Sequence, residues 1–301
     1  MTQIARFMSA TGEALVGLRQ EDGRIVQLGR GARALADLLQ LRASELRSRL
    51  SSSGSNAPEA EARTIMAPID GATEVWAAGV TYKRSEEARV EESATPDIYT
   101  RVYRAERPEL FFKATPRRVA GPEEPIVVRA DSTWDVPEPE VALVINAFGE
   151  IVGYTVANDV SSRSIEGDNP LYLPQAKVYD GCCALGPGIV PAWEVADAYV
   201  LAIRMRIQRG GAPLWQGETS MREFARRLED LAAYLFREDV FPDGVILSTG
   251  TALVPESPFT LEAGDVVEIE IDGLGSLRNP VVRGAAARVA GLTLRTPSSG
   301  W

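Results

Sequence analysis

The chain has 301 residues, 45% of them hydrophobic and 25% charged, a balance that suits a globular protein of one large domain or a large domain with a small one. Its net charge of −10 argues against a nucleic-acid backbone or an anionic membrane surface as the main partner, because both need a basic footprint. A small anionic substrate, held by a few local cations or by a metal, remains compatible with that charge.

Residues 1–27 read as short strands joined by turns at ATGE and EDGR. They contain no sustained apolar core ahead of a small-residue cleavage site, so no signal peptide is expected. Residues 32–50 repeat apolar side chains at helical spacing and predict one amphipathic helix. The stretch SSSGSNAPEAEAR (51–63) reads as a linker or exposed loop. It sets an expected boundary near residue 65, between a small N-terminal α/β domain (1–65) and a main domain (66–301). Beyond it EVWAAGVTY, LFFKAT, PIVVR, EVALVIN, EIVGYTVAN, ALGPGIVPAW, YVLAIRMRIQ, GVILSTGTAL and DVVEIEIDGLG all read as strands. Two helices are expected, over 85–92 and 220–236. The second opens with Ser220 and has Glu223 three residues later, a capping-box pattern. Met221, Phe224 and Leu228 form one helical stripe and read as core. The two cysteines, Cys182 and Cys183, are neighbours that bridge only with strain, so they read as buried thiols in a reducing compartment. No run approaches the length of a membrane span. A cytoplasmic protein is expected, with a β-rich α+β fold built on a curled or barrel-like sheet. No Gly-rich phosphate loop joins a strand to a helix.

The segment WDVPEPEVALVIN places Glu138 and Glu140 two apart at the mouth of an apolar strand. In extended chain such positions share a face, and two carboxylates on one face repel unless a cation lies between them. The turn AFGE predicts a hairpin onto 150–157, which returns Asp159 beside the EPE end. These three acids outline one site for a divalent ion. With oxygen ligands and no His or Cys ligand, Mg²⁺, Mn²⁺ or Ca²⁺ suits it better than Zn²⁺. Pro137 and Pro139 stiffen the backbone that aims the two glutamates. The competing reading is a solvated acidic strand start.

GVTY, PELFFKA, PEPEVALVI, GYTVANDVSSR, QAKVYDGCCALGP and LSTGTAL followed by LEAGDVVEIEIDGLGSLRNPV occur in that order. Together they resemble the fumarylacetoacetate hydrolase superfamily over roughly residues 70–285. The resemblance implies a β-rich catalytic fold and a Mg²⁺ or Mn²⁺ held by Glu138, Glu140 and Asp159. It also implies a lysine at Lys177, an arginine at Arg163, and a substrate-carboxylate contact at Thr251. A homodimer or higher homo-oligomer acting on a small 2-keto acid is implied as well. The hydrolases of this family use a His-Glu pair to activate water. The chain has no histidine, and the equivalent position is Ser85. YKRSEEAR, AERPELFFKATP, ADSTWDVPEPE and SSRSIEGDNPLYLPQAKVYDG resemble instead the 2-keto-3-deoxy-pentonate dehydratases of non-phosphorylating pentose oxidation. That subgroup implies a Mg²⁺-dependent hydro-lyase acting on 2-keto-3-deoxy-D-xylonate or an arabinonate relative, with 2-oxoglutarate semialdehyde as product. The alternative within the superfamily is a 2,4-diketo acid hydrolase of the acylpyruvase type or an oxaloacetate decarboxylase.

Dehydration of such an acid is a series of proton transfers. Lys177 is a candidate base, or else a fixed cation on the substrate carboxylate or enolate. Glu109 is a candidate acid or base, or else an ion-pair partner of Arg107. Arg84 and Ser85, in place of the hydrolytic pair, are candidates for binding substrate hydroxyls or carboxylate. Glu166, Asn169 and Tyr172 lie in a polar loop, SIEGDNPLYLP, that reads as a lid over the hydroxyls.

Overall fold

The computed structural model describes residues 1–53, 58–84 and 96–293. Strands β1 (Gln3–Ser9), β2 (Ala14–Arg19) and β3 (Ile25–Arg30) form a meander, followed by helices α1 (Ala34–Leu39) and α2 (Ala43–Ser52). Next come β4 (Ala62–Met66), β5 (Glu74–Gly79), α3 (Pro96–Arg104), β6 (Glu109–Ala114), β7 (Val119–Ala120), β8 (Ile126–Val128) and β9 (Asp135–Val136). The hairpin β10 (Pro139–Ile145) and β11 (Ile151–Asp159) leads through β12 (Ser161–Ser162) to two short helices, α4 (Arg163–Asp168) and α5 (Leu173–Lys177). The remaining elements are β13 (Cys183–Pro191), β14 (Ala202–Arg209), β15 (Ala212–Ser220), α6 (Leu228–Leu235), β16 (Val245–Ser248), β17 (Val266–Ile271), β18 (Gly275–Arg283) and α7 (Ala285–Thr293).

The main sheet has the order β3-β2-β1-β13-β11-β10-β16-β5-β6, with β4 added to β1 and β7 to β13. A second sheet, β15-β14-β17-β18-β8, packs against it. This is the strand-rich α+β architecture expected. Among the described residues the main sheet stays open, a roll rather than a closed barrel. β1 pairs with β13 at Ile4 and Ile189, so the N-terminal meander continues the same sheet.

β10 shows why the site end is rigid. All seven of its residues are buried. Val141, Leu143 and Ile145 enter the core shared with the second sheet and α6, whereas Ala142 and Val144 enter the core under α1 and α2. A strand covered on both faces has no solvated side on which to slip. Its turn is held by Asn146, whose side-chain oxygen accepts hydrogen bonds from Phe148 N (3.0 Å) and Glu150 N (2.9 Å).

Two expected helices are shorter than their periodicity suggests. Residues 32–50 break into α1 and α2, because Arg42 is extended (ψ 155) and a fresh helix starts there. The Asp70 carboxylate accepts from Leu35 N and Ala36 N at the start of α1, and Glu150 accepts from Ala43 N at the start of α2. Both caps come from distant chain. The 220–236 helix begins only at Leu228, since Ser220 closes β15 and Phe224 bridges Tyr82 instead. Met221 and Leu228 are buried and Phe224 packs against the same core, as expected. The helix expected over 85–92 lies outside the described residues. Among those described, no helix is long and apolar enough to cross a membrane.

Candidate metal centre and active site

The β10–β11 hairpin brings the three acids together. Glu140 pairs with Ala157, and Asp159 N donates to Glu138 O at 2.9 Å just beyond the last ladder pair. One oxygen from each of Glu138, Glu140 and Asp159 lies within 4.8 Å of the others, and all three residues are buried. Glu140 Oε2 accepts from Ser248 Oγ and from Gly250 N (2.7 Å). Gly250 is glycine for two reasons. Its φ is +93, and a Cβ there would lie 3.0 Å from Ala78 O and against the Thr81 hydroxyl.

Three cations face these carboxylates. Lys177, at the end of α5, donates from Nζ to Glu138 Oε2 (2.6 Å), Asp159 Oδ2 (3.0 Å) and Ser161 Oγ (2.5 Å). Arg163 Nη2 lies 3.2 Å from Glu138 Oε1. Lys113, fully buried on β6, forms an ion pair with Asp159 Oδ1. Its Nζ also donates to Val160 O (3.0 Å) and Lys177 O (2.7 Å). Burial is the largest influence on the Lys113 ammonium and lowers it, but the Asp159 charge together with the neighbouring Cys182 and Cys183 makes the net shift upward. Burial, reinforced by Asp159 and Glu138, pushes Glu140 up to about 8. Lys177 lowers it, but too weakly to offset burial.

That raised value is the test of fit for a metal. Three buried carboxylates within one ion's reach are held together against their own repulsion. A divalent cation held by these oxygens would offset the repulsion that the three cations leave and favour the carboxylate form of Glu140. The donors are all hard oxygens, so the set suits Mg²⁺ or Mn²⁺.

Register places the remaining candidates. Ala142 pairs with Ser248, Ser248 with Ala77, and Ala77 with Phe111, so these positions on four strands share one face. Phe111 turns its ring to Lys177, with Nζ 5.7 Å from the centroid. Glu109, two residues earlier, lies on that face opposite Gly79. Glu166 is buried on α4, one turn beyond Arg163. Asn169 accepts from Leu171 N and opens the following turn, and Tyr172 is 44% exposed. Thr251 is buried beside the Gly250 turn, and its hydroxyl accepts from Leu253 N at 3.1 Å. Arg84 is exposed and pairs with Glu256. Ser85 lies outside the described residues.

Lys113, Ser161, Ser248 and Gly250 are site residues that the motifs alone did not single out. Lys113 carried little signal, as a lone lysine in a short apolar strand. Its partner Asp159 is distant in sequence and gave none.

The family signature of the fumarylacetoacetate (FAA) hydrolase C-terminal domain matches residues 74–282, which contain every one of these side chains. The chain belongs to the fumarylacetoacetate hydrolase family. Within the family it is 54% identical over 219 residues to a probable 2-keto-3-deoxyxylonate dehydratase of Haloferax volcanii, covering 73% of this chain and 75% of that protein. It is 46% identical over 221 residues to the 2-dehydro-3-deoxy-D-arabinonate dehydratase of Saccharolobus solfataricus, covering 72% and 74%. The solved structure of 2-keto-3-deoxy-D-arabinonate dehydratase complexed with magnesium and 2,5-dioxopentanoate superposes with a TM-score of 0.79 at 36% identity, over 94% of this chain and 99% of that one.

Proposed function

We propose that this chain is a Mg²⁺-dependent hydro-lyase that converts a 2-keto-3-deoxy-pentonate, the D-xylonate or an arabinonate form, into 2-oxoglutarate semialdehyde (2,5-dioxopentanoate) in non-phosphorylating pentose catabolism. The observation that carries the reading is the buried Glu138, Glu140 and Asp159 set, ringed by Lys177, Lys113 and Arg163, in a chain without histidine. The dehydratase relatives at 54% and 46% identity support the same chemistry.

Magnesium, when bound by Glu138, Glu140 and Asp159, withdraws electron density from the keto acid and so acidifies its C3 protons. The side chains do the rest. Lys177, whose ammonium already spans Glu138 and Asp159, steadies the negative charge that grows on the substrate oxygen. Glu109 takes the C3 proton and returns a proton to the hydroxide leaving C4, an acid–base role typically worth about 10²–10⁴-fold. Loss of a C5 proton, with return of protons to carbon, then gives the terminal aldehyde. Thr251 and Arg163 hold the substrate carboxylate end. Glu166, Asn169 and Tyr172 read the hydroxyls, and Arg84, on leaving its surface pair with Glu256, and Ser85 are further proposed contacts to the substrate.

Three coarser readings accompany this one. Residues 1–65 act as a small N-terminal unit beside a catalytic unit of 66–301, which the start of the family match at residue 74 supports. The enzyme works in the cytoplasm, supported by the two buried, unpaired thiols Cys182 and Cys183. It assembles as a homodimer or higher homo-oligomer, supported by the family resemblance and measurable by light scattering.

The assay is direct. Purified protein with Mg²⁺ is given 2-keto-3-deoxy-D-xylonate or either arabinonate isomer, and the aldehyde is read through a coupled dehydrogenase. Turnover is expected, lost with EDTA and in Glu140→Ala. Turnover of none of these acids refutes the reading. Acylpyruvates are expected to yield no pyruvate, since no histidine is present to activate water.

A further inference from the structure

The three nearest atoms that a Cβ built on Gly79 would meet all belong to Glu109. That Cβ would fall inside the van der Waals radius of Glu109 Oε2, 2.7 Å from Glu109 Cδ and 3.3 Å from Glu109 Cγ. The two residues face each other across the β5–β6 ladder. Such partners normally share the space between them, with Cβ atoms about 4.5–5.5 Å apart. Here the Glu109 side chain takes up that space, lying across the bare backbone of Gly79.

The backbone itself does not ask for glycine at this position. Gly79 is absent from the residues with positive φ. What it supplies is empty space. The Cα that defines this space is held firmly. The next residue, Val80, is buried with φ 51, a conformation that β-branched residues rarely adopt. Beyond it Thr81 Oγ1 donates to Thr249 O at 2.6 Å. Ala77 and Ala78, before it, are buried. A methyl added at residue 79 therefore cannot be absorbed by moving β5. The Glu109 tip has to give way.

We propose that Gly79 is a positioning residue for the reaction: its missing side chain is the slot that lays the Glu109 carboxylate along the sheet face bearing the metal ligands. The inference rests on Glu109 being the group that moves protons. Carbon contacts settle near about 3.5–4.0 Å, so the displacement is roughly 1 Å or more. An error of that size in a reacting group can cost about 100-fold.

The test compares Gly79→Ala, Glu109→Gln and the double variant in kcat, KM, Mg²⁺ affinity by calorimetry, and melting temperature. Gly79→Ala is expected to lower kcat by about 100-fold while Mg²⁺ affinity and melting temperature stay near the parent's. Added to Glu109→Gln it should cost no more than about twofold, because both changes act on one group. Parental kcat in Gly79→Ala, an equal loss in both backgrounds, or a Gly79→Ala chain that fails to fold overturns the slot. Parental kcat in Glu109→Gln overturns instead the role given to Glu109, and the inference falls with it.

Discussion

Replacing Lys113 by methionine keeps the length of the side chain and removes its charge and its three donors. In the parent that ammonium is fully buried against Asp159, Val160 O and Lys177 O. Removing one partner of a buried ion pair strands the other charge, which typically costs about 3–5 kcal/mol. For a chain of this size that corresponds to a fall in melting temperature of roughly 6–10 °C. Asp159 keeps Lys177 on Oδ2 at 3.0 Å and loses only the cation on Oδ1, so the loss should fall at the lower end of that range and shrink further when a divalent ion supplies counter-charge. Urea unfolding followed by tryptophan fluorescence, once with EDTA and once with saturating Mg²⁺, measures both. We expect a large loss with EDTA, a smaller one with Mg²⁺, and an unchanged slope in denaturant. A loss below about 1 kcal/mol with EDTA, the range of an exposed pair, would refute the reasoning.

Two further outcomes follow from the carboxylates. Glu140, lifted to about 8 by burial and then by Asp159 and Glu138, carries a proton at pH 7 before the metal arrives. Mg²⁺ binding at pH 7 should therefore release about one proton, and affinity should climb roughly tenfold per pH unit until about pH 8. Calorimetry in two buffers of different ionisation enthalpy measures this, and zero release would count against it. Asp135 is fully buried, and burial lifts it from 3.8 to about 6. The folded state thus holds this proton more tightly than the unfolded chain. Its stabilisation is complete below pH 3.8 and is lost as pH rises through about 6. Asp135→Asn should flatten that part of the stability–pH curve, and an unaltered curve would show that other groups set it.

The hairpin carrying the acids was readable because everything that makes it is local. A continuous apolar run, the AFGE turn and the two-residue spacing of Glu138 and Glu140 all lie within one short stretch. The break between α1 and α2 was not readable from periodicity. Apolar spacing runs straight through it, and the carboxylate that caps the restart, Glu150, comes from the hairpin turn. The same holds after Ser220. Its capping-box pattern is real in sequence, yet Ala225 N is drawn to Thr81 O (2.9 Å) and delays the helix to Leu228. At the site, residue types that sit next to one another in sequence showed themselves. Lys113 stayed hidden, since a lone lysine in LFFKA reads as a solvated strand residue until Asp159 is placed beside it.

The backbone irregularity under Lys113 has a second consequence. Val75 pairs with Ala114 and Trp76 with Phe112, so Lys113 is the extra residue of a bulge on β6. Among the described residues β6 is also the last strand of the main sheet. A flat terminal strand reading ELFFKA, with two adjacent phenylalanines, is the kind of edge onto which another chain adds itself in aggregation. A bulge interrupts the ladder that an incoming strand must match, and an inward-pointing charge makes such a strand costly to extend. The lysine that steadies Asp159 is thus also the residue that breaks the regular ladder of this end strand. Variants at residue 113 should accordingly be watched for loss of solubility as well as loss of catalysis.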